Sequence, residues 1–387
     1  MQSKSPRRMR VGTLVLLLSA TVFALGTCEL ALRVFLPGTP PLALGQLSYA
    51  TADGAPVNWE QAIARKLIVP VPAEQTPRKE GRMMFAPSQS FFLCYSDAGE
   101  LCRSWFDPQG RVSVRINRFG LREREQITPD KPARQKRIVC VGDSFTFGWG
   151  IPEEMNWVRL LEQKMRASGK DVRTVNCGAS GTVCVDEYAW GLQHRFHVFQ
   201  PDAVITTICL NDLIPSDGLW VIDPPRSTGL RTLDLLLGVL GRDELDLDPA
   251  RDWVQELLDL PAQQALASHR AGHDKPIEAM WSQGVPQASL RSMKQWCDER
   301  KIPFMVILWP FLQGLGNGRH YPFQKLHDLV AADCKAAGIP FLDVLPALAS
   351  TPAADLWVTP ADPHPNPLAQ RLTLPLIEQF VAAHCGF

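Results

Sequence analysis

Lys136-Arg137-Ile138-Val139-Cys140-Val141-Gly142-Asp143-Ser144-Phe145-Thr146-Phe147-Gly148 passes from an unbroken apolar run into a glycine-bounded polar turn. A run that is apolar at every position, rather than at alternate ones, reads as a strand covered on both faces. Four more runs of this kind follow at Val172 to Val175, Ala203 to Leu210, Phe304 to Leu308 and Pro340 to Val344. Helix-like stretches lie between and after them, at Trp157 to Ser168, Val183 to Phe199, Gln287 to Arg300, Phe323 to Ala337 and Pro367 to His384. Strand–helix alternation predicts an α/β fold with a flavodoxin-like, doubly wound, five-stranded parallel sheet over residues 136–387. Residues 214–285 break the rhythm between the third and fourth runs. They hold the Leu-rich Leu230 to Leu240, the acidic Asp243 to Asp252 and a helix-like Trp253 to Ala267, and are expected to form a helical insertion acting as a lid.

In open α/β sheets, ligands bind at the carboxyl ends of strands, where loops lead into helices. Each polar cluster of this chain falls at such an end. Gly142-Asp143-Ser144 follows the first strand, Asn176-Cys177-Gly178-Ala179-Ser180-Gly181 the second and Leu210-Asn211-Asp212 the third. Asp362-Pro363-His364-Pro365-Asn366 follows the last, in a loop ahead of the C-terminal helix. The fold would gather all of them at one rim. A Ser there gains positive potential from neighbouring backbone N–H groups, and a His is the usual base that turns a hydroxyl into a nucleophile at neutral pH. The first cluster is not the G-x-S-x-G elbow of α/β hydrolases, because its second glycine falls four residues after Ser144. It matches neither G-x-G-x-x-G nor the Lys-bearing phosphate loop.

These blocks resemble the SGNH/GDSL hydrolase family, named for Ser, Gly, Asn and His in four sequence blocks. The resemblance runs from about Asn117 to the C-terminus, omitting the insertion. Asn117-Arg118-Phe119-Gly120-Leu121-Arg122 and the Gly142 to Gly150 run are similar to a membrane-anchored bacterial subgroup. The resemblance implies an ester hydrolase with Ser144 as nucleophile and His364 as general base. It implies an oxyanion hole formed by the backbone N–H of Ser144, the backbone N–H of Gly181 and the side-chain amide of Asn211. Asp362 would orient the imidazole and stabilise its cation. Many members carry that Asp three residues before the His. Here position 361 is Ala, and Asp362 stands only two before. Asp143 and Asp212 read as structural residues that bond loop amides.

Residues 1–36 read as a cytoplasmic stub and a transmembrane anchor. Lys4, Arg7, Arg8 and Arg10 precede an apolar run from Val11 to Thr27, which Leu30 to Leu36 extends. That length spans a bilayer core of about 30 Å. The cations keep the N-terminus cytoplasmic, which makes the chain a single-pass inner-membrane protein with an extracytoplasmic, periplasmic catalytic domain. A cleaved secretory signal competes with this reading, although no small-x-small site follows the run. A lipoprotein signal through Leu25-Gly26-Thr27-Cys28 is disfavoured by the Thr. Residues 37–85, rich in Pro and Ala, read as a linker and lead-in. Residues 86–135 read as a small β element with strands at Phe91 to Leu93, Ser104 to Phe106 and Val112 to Ile116.

In a translocated chain, Cys94 and Cys102 could pair across Ser96-Asp97-Ala98-Gly99, while Cys140, Cys177 and Cys209 read as core. Lys plus Arg balance Asp plus Glu at 40 each, which leaves no basic footprint for nucleic acid. His194 with His197 and His269 with His273 have helical metal spacing, but no converging Cys or carboxylate, so no metal or other cofactor is expected. His320, His327 and His384 read as surface or partly buried. Trp149, Trp157 and Trp190 are expected in the core or a pocket wall, and Trp309-Pro310-Phe311 with Gly314 to Gly318 at the cleft. The expected partners are the membrane and an acylated small molecule or glycan, an acetyl ester above all. The same residues would serve an O-acetyltransferase on extracytoplasmic polysaccharide, and a retired scaffold that only binds or assembles glycans is a further alternative.

Overall fold

Parallel pairing joins all five apolar runs in the computed structural model, which describes residues 6–35, 47–57, 59–72, 74, 76, 83–95, 104–179, 183–214, 230–233, 281–282, 284–316, 320–360 and 362–387. In chain order the described strands are β1 Leu47–Thr51, β2 Pro56–Val57, β3 Ile68–Pro70, β4 Met83–Phe85, β5 Ser90–Tyr95, β6 Arg111–Arg115, β7 Lys136–Gly142, β8 Val172–Gly178, β9 Ala203–Cys209, β10 Phe304–Trp309, β11 Phe341–Asp343, β12 Trp357–Thr359 and β13 Asp362–Pro365. The main sheet runs β11-β10-β9-β7-β8, which is the flavodoxin-like order. β7 starts at the centre, the chain steps outward to β8, then returns past β7 to β9. Right-handed crossovers put the helices of these two steps on opposite faces. Trp157–Ala167 accordingly packs with Pro367–His384, and Val185–His194 with Val285–Glu299. The reversal point between β7 and β9 is where such sheets hold ligands.

β8 is an edge strand, and its outward N–H groups are all occupied. Thr174 donates to Glu162 at 2.7 Å, Asn176 to Glu123 at 2.8 Å and Gly178 to the Asn176 side chain at 3.0 Å. Both carboxylates belong to a buried ion cluster. Arg159 and Arg173 each bond Glu123 at 2.7 Å, and they reach Glu162 at 2.9 and 3.2 Å. The cluster closes the edge to further pairing and clamps the connection after β6 to the sheet.

A second, antiparallel sheet of order β2-β1-β5-β6 precedes the main one. Residues 37–85 are thus more than a linker, because β1 and β2 belong to this sheet and β3 pairs with β4. Strands of two to five residues, of which β1 pairs with β5 some forty positions later, carry no readable periodicity. Ser104 to Phe106 forms a turn instead of a strand, and Asp107 closes the next turn by accepting from Gln109 N and Arg111 N at 2.9 Å. β5 alternates strictly, so Phe91, Leu93 and Tyr95 point inward. They share a core with Phe147, Trp149, Ile151 and Val358 of the main domain.

The helix Pro6–Phe35 contains a stretch, Gly12–Phe35, long and apolar enough to cross a membrane. Near its C-terminal end Glu29 accepts hydrogen bonds from Arg231 N at 3.0 Å and Thr232 N at 2.9 Å. Of the expected 214–285 insertion, residues 214, 230–233, 281–282 and 284–285 are described, and residues 215–229, 234–280 and 283 lie outside the described residues, His269 and His273 included. So does Cys102, and with it the Cys94–Cys102 pairing. Cys140, Cys177 and Cys209 are buried in the main core. The helix expected from Val183 to Phe199 divides into Val185–His194 and a 3-10 turn, Phe196–Phe199. The Phe196 ring lies so close to Gly191 that a Cβ there would sit 2.6 Å from it.

Candidate active site

β7 delivers Ser144 at the reversal point. A single helical turn, Ser144–Phe147, begins there, capped by Asp143 accepting from Phe145 N at 2.9 Å and ended by Gly148 at φ +82°. The turn is held from several directions. Asn176 Nδ2 donates to Thr146 O at 2.9 Å and Asn156 Nδ2 to the same oxygen at 3.2 Å. Gly178 backs it so closely that a Cβ would lie 2.2 Å from Phe147 N. The buried Arg122 guanidinium donates to the carbonyls of Phe147, at 3.2 Å, and of Gly148 and Ile151. Asn117 shapes the turn that presents Arg122, its side chain accepting from Phe119 N at 2.9 Å and Leu121 N at 3.1 Å. The Asn117 to Arg122 motif therefore fixes the loop that follows Ser144.

His364 arrives from the far end of the chain. The expected loop around it contains a short strand, β13, paired with β12. Alternate residues of a strand face the same way, so Asp362 and His364 lie side by side. Asp362 Oδ1 accepts from His364 Nδ1 at 2.5 Å and from the His364 backbone N–H at 3.2 Å. The other ring nitrogen, Nε2, lies 2.9 Å from Ser144 Oγ. Asn366 secures this segment by capping the final helix at Leu368 N and Ala369 N, and by donating to Asp355 O at 2.7 Å and Trp357 O at 2.9 Å.

Electrostatics reinforce the geometry. Burial alone would lower the His364 pKa, yet the Asp362 charge and hydrogen bond outweigh it and hold it above the ordinary histidine value. Burial likewise pushes the Asp362 pKa up, and the His364 charge with bonds from His364 and Tyr95 more than reverses this. Asp143 and Asp212 are buried, and burial raises both, Asp143 to about 6. Asp212 Oδ2 accepts from Cys209 N at 2.8 Å, so both aspartates bond loop amides.

Asn211 lies partly buried in the turn Leu210–Leu213, directly after β9. Gly181 is outside the described residues. Trp149 stands 6.0 Å from His364, ring to ring, and Phe145 stands 5.8 Å from it. Trp309 meets Phe145 edge-on at 5.9 Å, which brings the end of β10 to the site. Trp157 is core, and Trp190 stacks on His194. His327, expected at the surface or partly buried, is fully buried and bonds Asp343 at 2.8 Å, because its helix turns that face onto β11. Two participants escaped the sequence reading. Arg122 lay in a motif noted only for its resemblance, and Tyr95, whose hydroxyl donates to Asp362 Oδ2 at 2.7 Å, gave no signal beyond β-alternation.

Several solved structures are similar to this chain. The chain is similar to TesA, at 17% identity and a TM-score of 0.37, over 64% of this chain and 99% of that one. A putative lipolytic G-D-S-L protein from Desulfitobacterium hafniense DCB-2 aligns at 15% identity and 0.37, over 63% and 99%. The psychrotrophic esterase EstA from Pseudoalteromonas sp. aligns at 13% and 0.38, over 64% and 97%. No curated protein matches the sequence. The family model of GDSL-like lipases and acylhydrolases matches residues 140–372, more than half of the chain and all of the elements that carry Ser144, Asn211 and His364. The chain belongs to the GDSL-like lipase/acylhydrolase family and is an SGNH-type ester hydrolase.

Proposed function

We propose that the protein hydrolyses acyl esters, acetyl esters of cell-envelope glycans in particular, through an acyl-Ser144 intermediate. The observation that carries this reading is the chain Ser144 Oγ–His364 Nε2 at 2.9 Å and His364 Nδ1–Asp362 Oδ1 at 2.5 Å. His364 takes the Ser144 proton as Oγ attacks the acyl carbonyl carbon. It then returns that proton to the departing alcohol as the tetrahedral intermediate collapses. Water repeats the sequence on the acyl-enzyme, releasing the acid and restoring Ser144. Asp362 keeps the imidazole tautomer with Nε2 free to accept, and stabilises the imidazolium. The intermediate's oxyanion takes N–H donors from Ser144, Gly181 and the Asn211 amide.

The apolar Gly12–Phe35 helix, with Arg7, Arg8 and Arg10 before it, supports a signal anchor in the inner membrane. The catalytic domain then lies in the periplasm, where acylated envelope glycans are accessible. A decisive assay uses the full chain in detergent with p-nitrophenyl acetate and a fluorophosphonate probe, comparing wild type with Ser144→Ala. Hydrolysis and labelling that both vanish on substitution support the reading. A folded wild type that neither hydrolyses nor labels overturns it in favour of a glycan-binding scaffold. Acetyl transfer to an added oligosaccharide in preference to water would make it an O-acetyltransferase.

A further inference from the structure

Asp362 divides its two oxygens between two parts of the molecule. Oδ1 faces His364, while Oδ2 accepts the Tyr95 hydroxyl, 267 residues earlier, at 2.7 Å. Tyr95 ends β5 of the antiparallel sheet, and its ring is buried against Phe106 at 5.1 Å. The hydroxyl fits because position 150 is glycine. A Cβ there would lie 2.6 Å from Tyr95 Oη and 2.7 Å from Val358, and the backbone sits at φ +74°. The loop after the nucleophile and the tyrosine of the preceding sheet are thus shaped to each other. Burial, followed by the Asp362 charge, drives the phenol pKa far upward, so the hydroxyl remains a donor.

We infer that Tyr95 is a positioning residue of the hydrolytic site: its hydroxyl pins Asp362 so that Oδ1 is presented to His364, and the antiparallel sheet thereby completes a site whose Ser144, His364 and Asp362 come from the main domain. The inference rests on the proposed roles of Ser144, His364 and Asp362. Two effects follow. A carboxylate held at one oxygen cannot rotate away from the imidazole, which preserves the tautomer that accepts the Ser144 proton. The donor also draws charge from the carboxylate, so its loss concentrates charge toward His364 and raises the imidazole pKa. The other ionisable groups around this unit are Asp143, whose charge acts on His364, and Tyr49 and Arg122, which act on Tyr95.

The test compares Tyr95→Phe with wild type as full chains in detergent, with Phe106→Leu as a packing control that keeps the hydroxyl. Three quantities are measured: kcat and KM for p-nitrophenyl acetate across pH, the pH dependence of fluorophosphonate labelling, and the His364 pKa by NMR titration. Tyr95→Phe is expected to lower kcat roughly tenfold or more with KM little changed, as loss of a hydrogen bond to a charged group does. Its ascending pH limb and its His364 pKa both move upward, while Phe106→Leu changes thermal stability alone. Global 3-fluorotyrosine substitution strengthens the phenol as a donor and keeps the ring. It should move the limb downward in wild type and not in Tyr95→Phe, and it serves as the test if Tyr95→Phe does not fold. An unchanged limb and kcat in folded Tyr95→Phe, or in the fluorinated wild type, would overturn the inference even if the melting temperature fell. Should Ser144 prove inert in wild type, the hydrolase reading fails by itself. The NMR titration still decides whether Tyr95 acts on His364 through Asp362.

Discussion

The position of Ser144 follows from where β7 stops. The strand ends in a tight turn between two glycines, and the hydroxyl emerges 2.9 Å from an imidazole contributed 220 positions later. Removing the hydroxyl by Ser144→Ala should reduce kcat by at least about 10³-fold, leaving what the oxyanion donors alone supply. Steady-state kinetics on the full chain measure it. Asn211→Ala removes one proposed donor to the oxyanion and should cost about 10²–10³ in kcat with little change in KM. The pH profile follows from the sign of the His364 shift. The base must be unprotonated to accept the Ser144 proton, and Asp362 holds its pKa above the ordinary value of about 6.5. Activity should therefore rise with pH along a limb whose midpoint lies above that value. A midpoint below it in kcat/KM would contradict the Asp362 contact.

Among the elements, the Ser144 turn and the edge strand show how local choices support the site. The turn Ser144–Phe147 is too short to be stable by itself, so its position depends on Gly178, Asn176, Asn156 and Arg122 around it. Gly178→Ala forces a Cβ into Phe147 N. A displacement of the turn by about 1 Å should lower kcat/KM by about 10²-fold, while circular dichroism reports a folded protein. At the β8 edge, Glu123 neutralises Arg159 and Arg173 and accepts from Asn176 N. Glu123→Gln would leave two buried guanidinium groups short of charge. Its expected cost is about 3–5 kcal/mol of folding stability, read from denaturant unfolding.

At the scale of the whole molecule, three units are joined in one functional body. The antiparallel sheet shares a core with the loop that follows Ser144, through Phe91, Leu93 and Tyr95 against Phe147, Trp149 and Ile151. The apolar N-terminal helix is tied through Glu29 to Arg231 and Thr232. If that helix is an uncleaved anchor, the full-length chain should stay in the membrane fraction after alkaline carbonate washing, at the mass of the uncleaved polypeptide. Deletion of residues 2–36 should release it, and a shortened wild-type chain in the soluble fraction would show a cleaved signal instead.

Local chemistry along the chain was enough to determine the five parallel strands, their order and the residues gathered at their carboxyl ends. Apolar runs report burial directly, and crossover handedness then leaves few arrangements. The polar blocks around Ser144 and Asn211 could be read for the same reason, since each sits where a strand must end, whereas the block around His364 lies within β13 itself. Asp362 was legible as a candidate, but its fitness at a spacing of two was not. Only the pairing of β13 with β12 puts it on the same face as His364. Tertiary structure alone decided the rest. β1 and β2 are too short to show a period, and Tyr95 looks like any inward aromatic of an alternating strand. A hydrogen bond across 267 residues leaves no trace in local sequence, because its geometry is set by the packing of two sheets and not by the neighbours of either residue.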